Sequence, residues 1–133
     1  MMKKSPSGSL CPYYYKGGEL HPLKYGNYRN DSYAFISMLN AEENFILNSH
    51  GGRNIWIDLY NTDMNAEQTK KLALHICAIR HKISRLALVG CSKKIFKTIE
   101  NSISAQDCSL TSNIQHFKDP EIAKDWLVGK LIL

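Results

Sequence analysis

The amino-acid sequence predicts an α/β fold: a mixed, mostly parallel sheet with helices packed on it. Three observations carry this. Ile55–Tyr60 is apolar on both of its alternating sets, Ile55, Ile57 and Leu59 against Trp56 and Tyr60, and a strand apolar on both faces is covered on both. Arg85–Gly90 (Arg-Leu-Ala-Leu-Val-Gly) is a second such run. Helical periodicity then separates the strands, and that alternation implies right-handed crossovers and parallel pairing. The expected order is β-β-α-β-α-β-α-β-α.

Residues 1–10 are polar, with Ser, Pro and Gly, and read as a mobile tail ahead of a single domain over 11–133. Tyr13-Tyr14-Tyr15, Gly17-Gly18 and Glu19–Tyr25 read as strand, turn and strand. Pro12 and Pro22 place these strands at an edge, because proline cannot donate to a ladder. The tyrosines suit either a stacking platform or one packed strand face. Asn30, Asp31 and Ser32 offer N-caps for a helix whose stripe is Phe35, Met38, Leu39, Phe45 and Ile46, with Glu42 and Glu43 off it and Gly51-Gly52 as its stop. A helix from about Asn65 buries Leu72, Ile76, Ile79 and Ile83. Ser92 caps the next helix, which buries Phe96, Ile99 and Ile103. Ala105–Thr111 is a polar connection and Asn113–Phe117 a short strand towards an edge. Asp119-Pro120-Glu121 starts a last helix, with a capping Asp and Pro at the first helical position. Leu131–Leu133 is an apolar tail that packs or extends an interface.

At 133 residues, 44% hydrophobic and 22% charged, the chain has an ordinary globular composition. Its apolar runs are too short to span a membrane, and no apolar core follows Lys3 and Lys4, so no secretory signal is expected. The net charge of +5 is spread along the chain without the basic stripe and interleaved aromatics of a nucleic-acid surface. Cys11, Cys77, Cys91 and Cys108 form no C-x-x-C pair, so free thiols in a reducing cytoplasm are expected. His75, Cys77 and His81 share a helix, but only Cys77 and His81 have a metal-binding spacing, and no third ligand follows. No metal or cofactor is expected.

Ile-Asp-Leu at 57–59, Leu-Ala-Leu-Val-Gly at 86–90 and Phe-Lys-Asp-Pro-Glu-Ile-Ala-Lys-Asp-Trp-Leu at 117–127 together resemble the STAS domain class, and within it the sporulation anti-sigma-factor-antagonist-like branch. The likeness covers about residues 19–128. It implies a STAS-like fold and a regulatory role through a protein partner or small ligand; the tyrosine run and the Leu131–Leu133 tail are candidate dimer surfaces, so a monomer or a homodimer is expected. Phosphorylated antagonists of the family carry Asp-Ser-Ser-Gly at the turn after the central strand. Here that turn is Asn61-Thr62-Asp63-Met64-Asn65, which lacks those serines and the glycine.

Two turns are candidate sites. The first is Asp58, Asn61, Thr62, Asp63 and Asn65. Asp58 is a carboxylate in an apolar strand, costly to bury without a partner; it suits a phosphoacceptor or metal ligand, or a carboxylate bonded to the backbone amides of the 61–65 turn. Thr62 is a hydroxyl at a helix start, where the dipole favours a phosphate. The second is Gly90, Cys91, Ser92 and Lys93, a strand-to-helix turn that suits an anion or a tight connection. Cys91 there could be a thiol of lowered pKa. Without a catalytic signature, the expected function is a non-catalytic regulatory or interaction module. The alternatives are a phosphorylation switch at Thr62, or a small enzyme with a cleft near Asp58 and Cys91.

Overall fold

The structure, a computed structural model, describes residues 3–6, 10–11, 13–24, 31–49, 53–60, 62, 64–106 and 113–130. It is α/β, as the alternating pattern predicts. Strands β3 (Tyr13–Tyr15), β4 (Gly18–Lys24), β5 (Arg53–Asp58), β6 (Ile83–Val89) and β7 (Ile114–Phe117) form one sheet in that spatial order. β3 and β4 are antiparallel and the other neighbours parallel. Among the described residues the helices are α1 (Ser32–Leu47), α2 (Ala66–Ala78), α3 (Lys93–Ala105) and α4 (Pro120–Leu127), with a 3₁₀ turn at Arg80–Lys82. Within the stretch expected as a tail, β1 (Lys3–Lys4) pairs antiparallel with β2 (Leu10–Cys11). No helix of the described residues is long and apolar enough to cross a membrane.

The two-faced apolar pattern has a direct physical outcome. β6 sends Leu86 and Leu88 into a core shared with α1, α2 and α3, and Ala87 and Val89 into a second core under α4. β5 does the same with Ile55 and Ile57 against Trp56. The β3–β4 hairpin turns on Lys16 and Gly17, both in the left-handed region at φ 45° and 83°, which matches the strand twist.

Four expectations change. Pro22 lies on β4, which is flanked on both sides in the sheet rather than at its edge; β3 pairs with Gly18–Leu20, so among the described residues the side of Pro22 away from β5 has no ladder to lose. Helix α1 ends at Leu47, ahead of the predicted glycine stop, because Asn48 caps it and Ser49 Oγ donates to the Ile46 carbonyl at 2.6 Å. Gly51-Gly52 lies outside the described residues, as do Asn30 and Leu131–Leu133. Glu42 is fully buried, since the inward stripe of α1 runs Phe35, Leu39, Glu42, Ile46. Ile79 is the C-cap of α2 and Ile83 opens β6, so the stripe expected on one helix continues through a turn into a strand.

Candidate functional site

The C-terminal ends of β5, β6 and β7 lie side by side. Leu59 N–H donates to the Val89 carbonyl at 2.8 Å and Gly90 N–H to the Phe117 carbonyl at 3.0 Å, so the ladder continues into the exit turns. Asp58 ends β5 with its side chain 23% exposed. Its Oδ1 accepts from the Tyr60 amide at 2.9 Å, and its Oδ2 lies 3.9 Å from Lys24 Nζ. The carboxylate therefore fastens the turn through Tyr60, one residue before the expected 61–65 amides.

Tyr60 reaches across the strand ends. Its hydroxyl donates to the Lys118 carbonyl. Its ring lies on Gly90, where a Cβ would sit 2.6 Å from ring carbon Cγ. Gly90 has φ +91°, so both close approach and backbone conformation demand glycine. Sequence reasoning placed Tyr60 on a strand face and missed this role, because the contact is made with residues 30 and 58 positions away and no local pattern records it. Thr62 is half-buried; its amide donates to the Leu59 carbonyl at 3.2 Å, and its hydroxyl is 3.5 Å from the Tyr60 carbonyl. Asn65 caps α2 reciprocally with Gln68: Asn65 Oδ1 accepts from the Gln68 amide at 2.8 Å and Gln68 Oε1 from the Asn65 amide at 3.1 Å, a capping box. Asn61 and Asp63 lie outside the described residues.

In the second turn, Ser92 Oγ accepts from the Ile95 amide at 3.1 Å and so occupies an amide that an anion would use. Lys93 is the exposed first residue of α3. Cys91 is half-buried, and burial pushes its thiol up to about 11. That direction is opposite to the activation a helix N-terminus offers. His116 Nε2 bonds the Cys91 carbonyl at 2.6 Å, and its ring stacks on Phe96 at 5.2 Å.

His75, Cys77 and His81 do not share one helix as expected: His75 and Cys77 are buried on α2, while His81 is exposed in the 3₁₀ turn that follows it, and among the described residues no three His, Cys, Asp or Glu side chains could hold a metal. His75 Nδ1 is 3.5 Å from Glu43 Oε1. Burial pulls the imidazole down to about 4, so at neutral pH the ring is uncharged and this contact is not an ion pair.

On the opposite face of the sheet the tyrosine run surrounds a cation. Lys124 is 9% exposed, and its Nζ lies 5.8, 5.1 and 5.3 Å from the ring centroids of Tyr13, Tyr15 and Trp56 and 2.8 Å from Glu121. Tyr15 Oη donates to Asp125 at 2.8 Å, and Lys16 Nζ pairs with the same carboxylate at 2.9 Å. Bonds from Lys16 and Tyr15 hold the Asp125 carboxyl below its ordinary range. The stacking platform read from the tyrosines is thus engaged by the chain's own lysine. Compared with protein-family models, curated proteins and solved structures, the chain matches none.

Proposed function

We propose that this chain is a STAS-like regulatory module that acts by binding a partner rather than by catalysis, with the ends of β5, β6 and β7 as its working face. The observation that carries the reading is the state of the polar groups there. Asp58, Asn65 and Ser92 are committed to turns and caps, and Cys91 is a protonated thiol at neutral pH. What faces outward is Tyr60, 38% exposed, with exposed Lys24 and Lys118 near it. An exposed tyrosine is a residue type enriched at protein-docking surfaces, and the two lysines would stand in the polar rim around it. The family likeness adds support: its three strings fall on β5, on β6, and on β7 with α4. The same reading keeps the module in a reducing cytoplasm, with Cys77 and Cys91 unbridged.

The test is affinity capture and native mass spectrometry from cellular extract, with and without nucleotide, using the wild type and Tyr60→Ala. A partner or ligand retained by the wild type and lost from the variant is expected. Finding neither across extracts overturns the reading. A phosphorylation switch at Thr62 is the second reading. It is favoured by the long 3.5 Å contact of the hydroxyl, three residues before the cap of α2. Mass spectrometry after incubation with a cognate kinase tests it, and phosphate confined to other residues sinks it. The enzyme alternative depends on Asp58 and Cys91, and the raised thiol pKa weighs against it.

A further inference from the structure

A groove of about 300 Å³ runs between α1 and α2, walled by Ile36, Leu39 and Leu74 and carrying Glu43, Lys71 and His75. That size is at the small end for ligand sites, which pair apolar walls with a few convergent polar groups. The groove carries both signs of charge, Glu43 from α1 and Lys71 from α2. Glu43 projects from α1 with its Oε1 3.5 Å from Nδ1 of His75, a buried imidazole whose pKa burial pulls down to about 4. Lys71 stands on α2 four residues before His75, about 6 Å along the helix axis. Among the described residues no ion pair joins Lys71 to Glu43. An acid and a base therefore share one apolar groove without closing on each other.

We infer that this groove takes a free α-amino acid with an apolar side chain, bound as its zwitterion. The Glu43 carboxylate accepts from the ligand ammonium, Lys71 meets the ligand carboxylate, and the side chain lies on Ile36, Leu39 and Leu74. This names a ligand class for the binding module proposed above and rests on that reading.

The experiment is an NMR titration of the full chain with L-leucine, read at the amides of Glu43, Leu74 and His75. Three analogues each remove one group: leucinamide the carboxylate, 4-methylpentanoate the ammonium, glycine the side chain. Leucine is expected to saturate these resonances and each analogue to bind at least about 5-fold more weakly, the size of one exposed charge contact or a small apolar one. Glu43→Gln is expected to weaken leucine about 10-fold and the fully surface variant Lys71→Gln about 3-fold. No shift of the groove amides at about 10 mM leucine, leucinamide binding as tightly as leucine, or unchanged affinity in both variants overturns the inference. If leucine fails while the Tyr60 face still captures a partner, only the ligand class falls. If both fail, the binding-module reading falls with it.

Discussion

Acid should destabilise this protein through His21, and the size of the effect follows from its surroundings. The imidazole is 1% exposed, both ring nitrogens lack a hydrogen-bond partner among the described residues, and the ring packs edge-on against Phe45 at 5.5 Å. Burial first, and the Arg53 guanidinium second, pull its pKa from 6.5 down to about 4. The folded state thus refuses a proton that the unfolded chain accepts near 6.5, so this contribution is intact above that pH and is lost as pH falls towards 4. Linkage between those two values gives a loss of about 2 kcal/mol from pH 7 to pH 4.5. His21→Leu keeps the volume and removes the titration. Urea unfolding followed by the fluorescence of Trp56 and Trp126 at both pH values measures the difference. The wild type should lose about 2 kcal/mol more than the variant over this interval. At pH 7 the variant should be at least as stable, because two unsatisfied buried nitrogens are gone. Parallel loss in both proteins, to within about 0.5 kcal/mol, would refute the reasoning.

Gly90→Ala should cost about 1–3 kcal/mol in chemical unfolding, from a left-handed φ and the clash with the Tyr60 ring. Part of that cost should disappear in a Tyr60→Ala background, since the two residues touch. Tyr60→Phe should lose about 1 kcal/mol with its bond to the Lys118 carbonyl. Cys91, with its thiol pushed from 9.0 to about 11, should be alkylated at pH 7.5 about 100-fold more slowly than an ordinary thiol, as site-resolved mass spectrometry of a labelling time course will show. Lys124→Met should shift the Trp56 emission and cost about 1–2 kcal/mol, because it removes an ammonium from three ring faces; Lys124→Arg should recover most of this.

The fold was legible where a local pattern coincided with what packing required. The doubly apolar runs at 55–60 and 85–90 become the interior strands β5 and β6, and Asp119-Pro120 starts α4 with Asp119 Oδ1 accepting from the Glu121 amide. Asn65 and Ser92 were correctly placed at helix starts, because capping is written within three residues. Glu42 was misassigned because its charge argued for solvent while its spacing from Phe35 and Leu39 argued for the core, and spacing won. Ile79 and Ile83 kept helical spacing past the end of α2, and periodicity cannot register a chain reversal that preserves burial. At the site, the polar residues were legible as types, but their commitments were not. The bond from Tyr60 to Lys118 and the cation nest around Lys124 join residues 58 and about 110 positions apart, beyond the reach of any window.

The two layers of helices give the strand ends different kinds of support, and the position of Tyr60 follows from both. On one face, α1, α2 and α3 bury the first core. On the other, α4 covers the sheet among the described residues, and it is tied to the β3 hairpin by Lys124, Tyr15 and Asp125. Gly18 shows how tightly that hairpin seats: a Cβ there would lie 2.6 Å from Val128 just past α4. The carbonyl that Tyr60 holds belongs to Lys118, between β7 and α4, and the glycine beneath its ring ends β6. The exposed part of Tyr60 is therefore fixed by β5 through Asp58, by β6 through Gly90 and by β7 through Lys118. With its hydroxyl bonded to the Lys118 carbonyl, its ring seated on Gly90 and its backbone amide held by Asp58, the Tyr60 side chain has little rotamer freedom left to lose, so a partner docking on it would incur little ordering cost. Loosening α4, for instance by Lys124→Met, should weaken partner capture through Tyr60 even though Lys124 makes no contact with Tyr60 among those described.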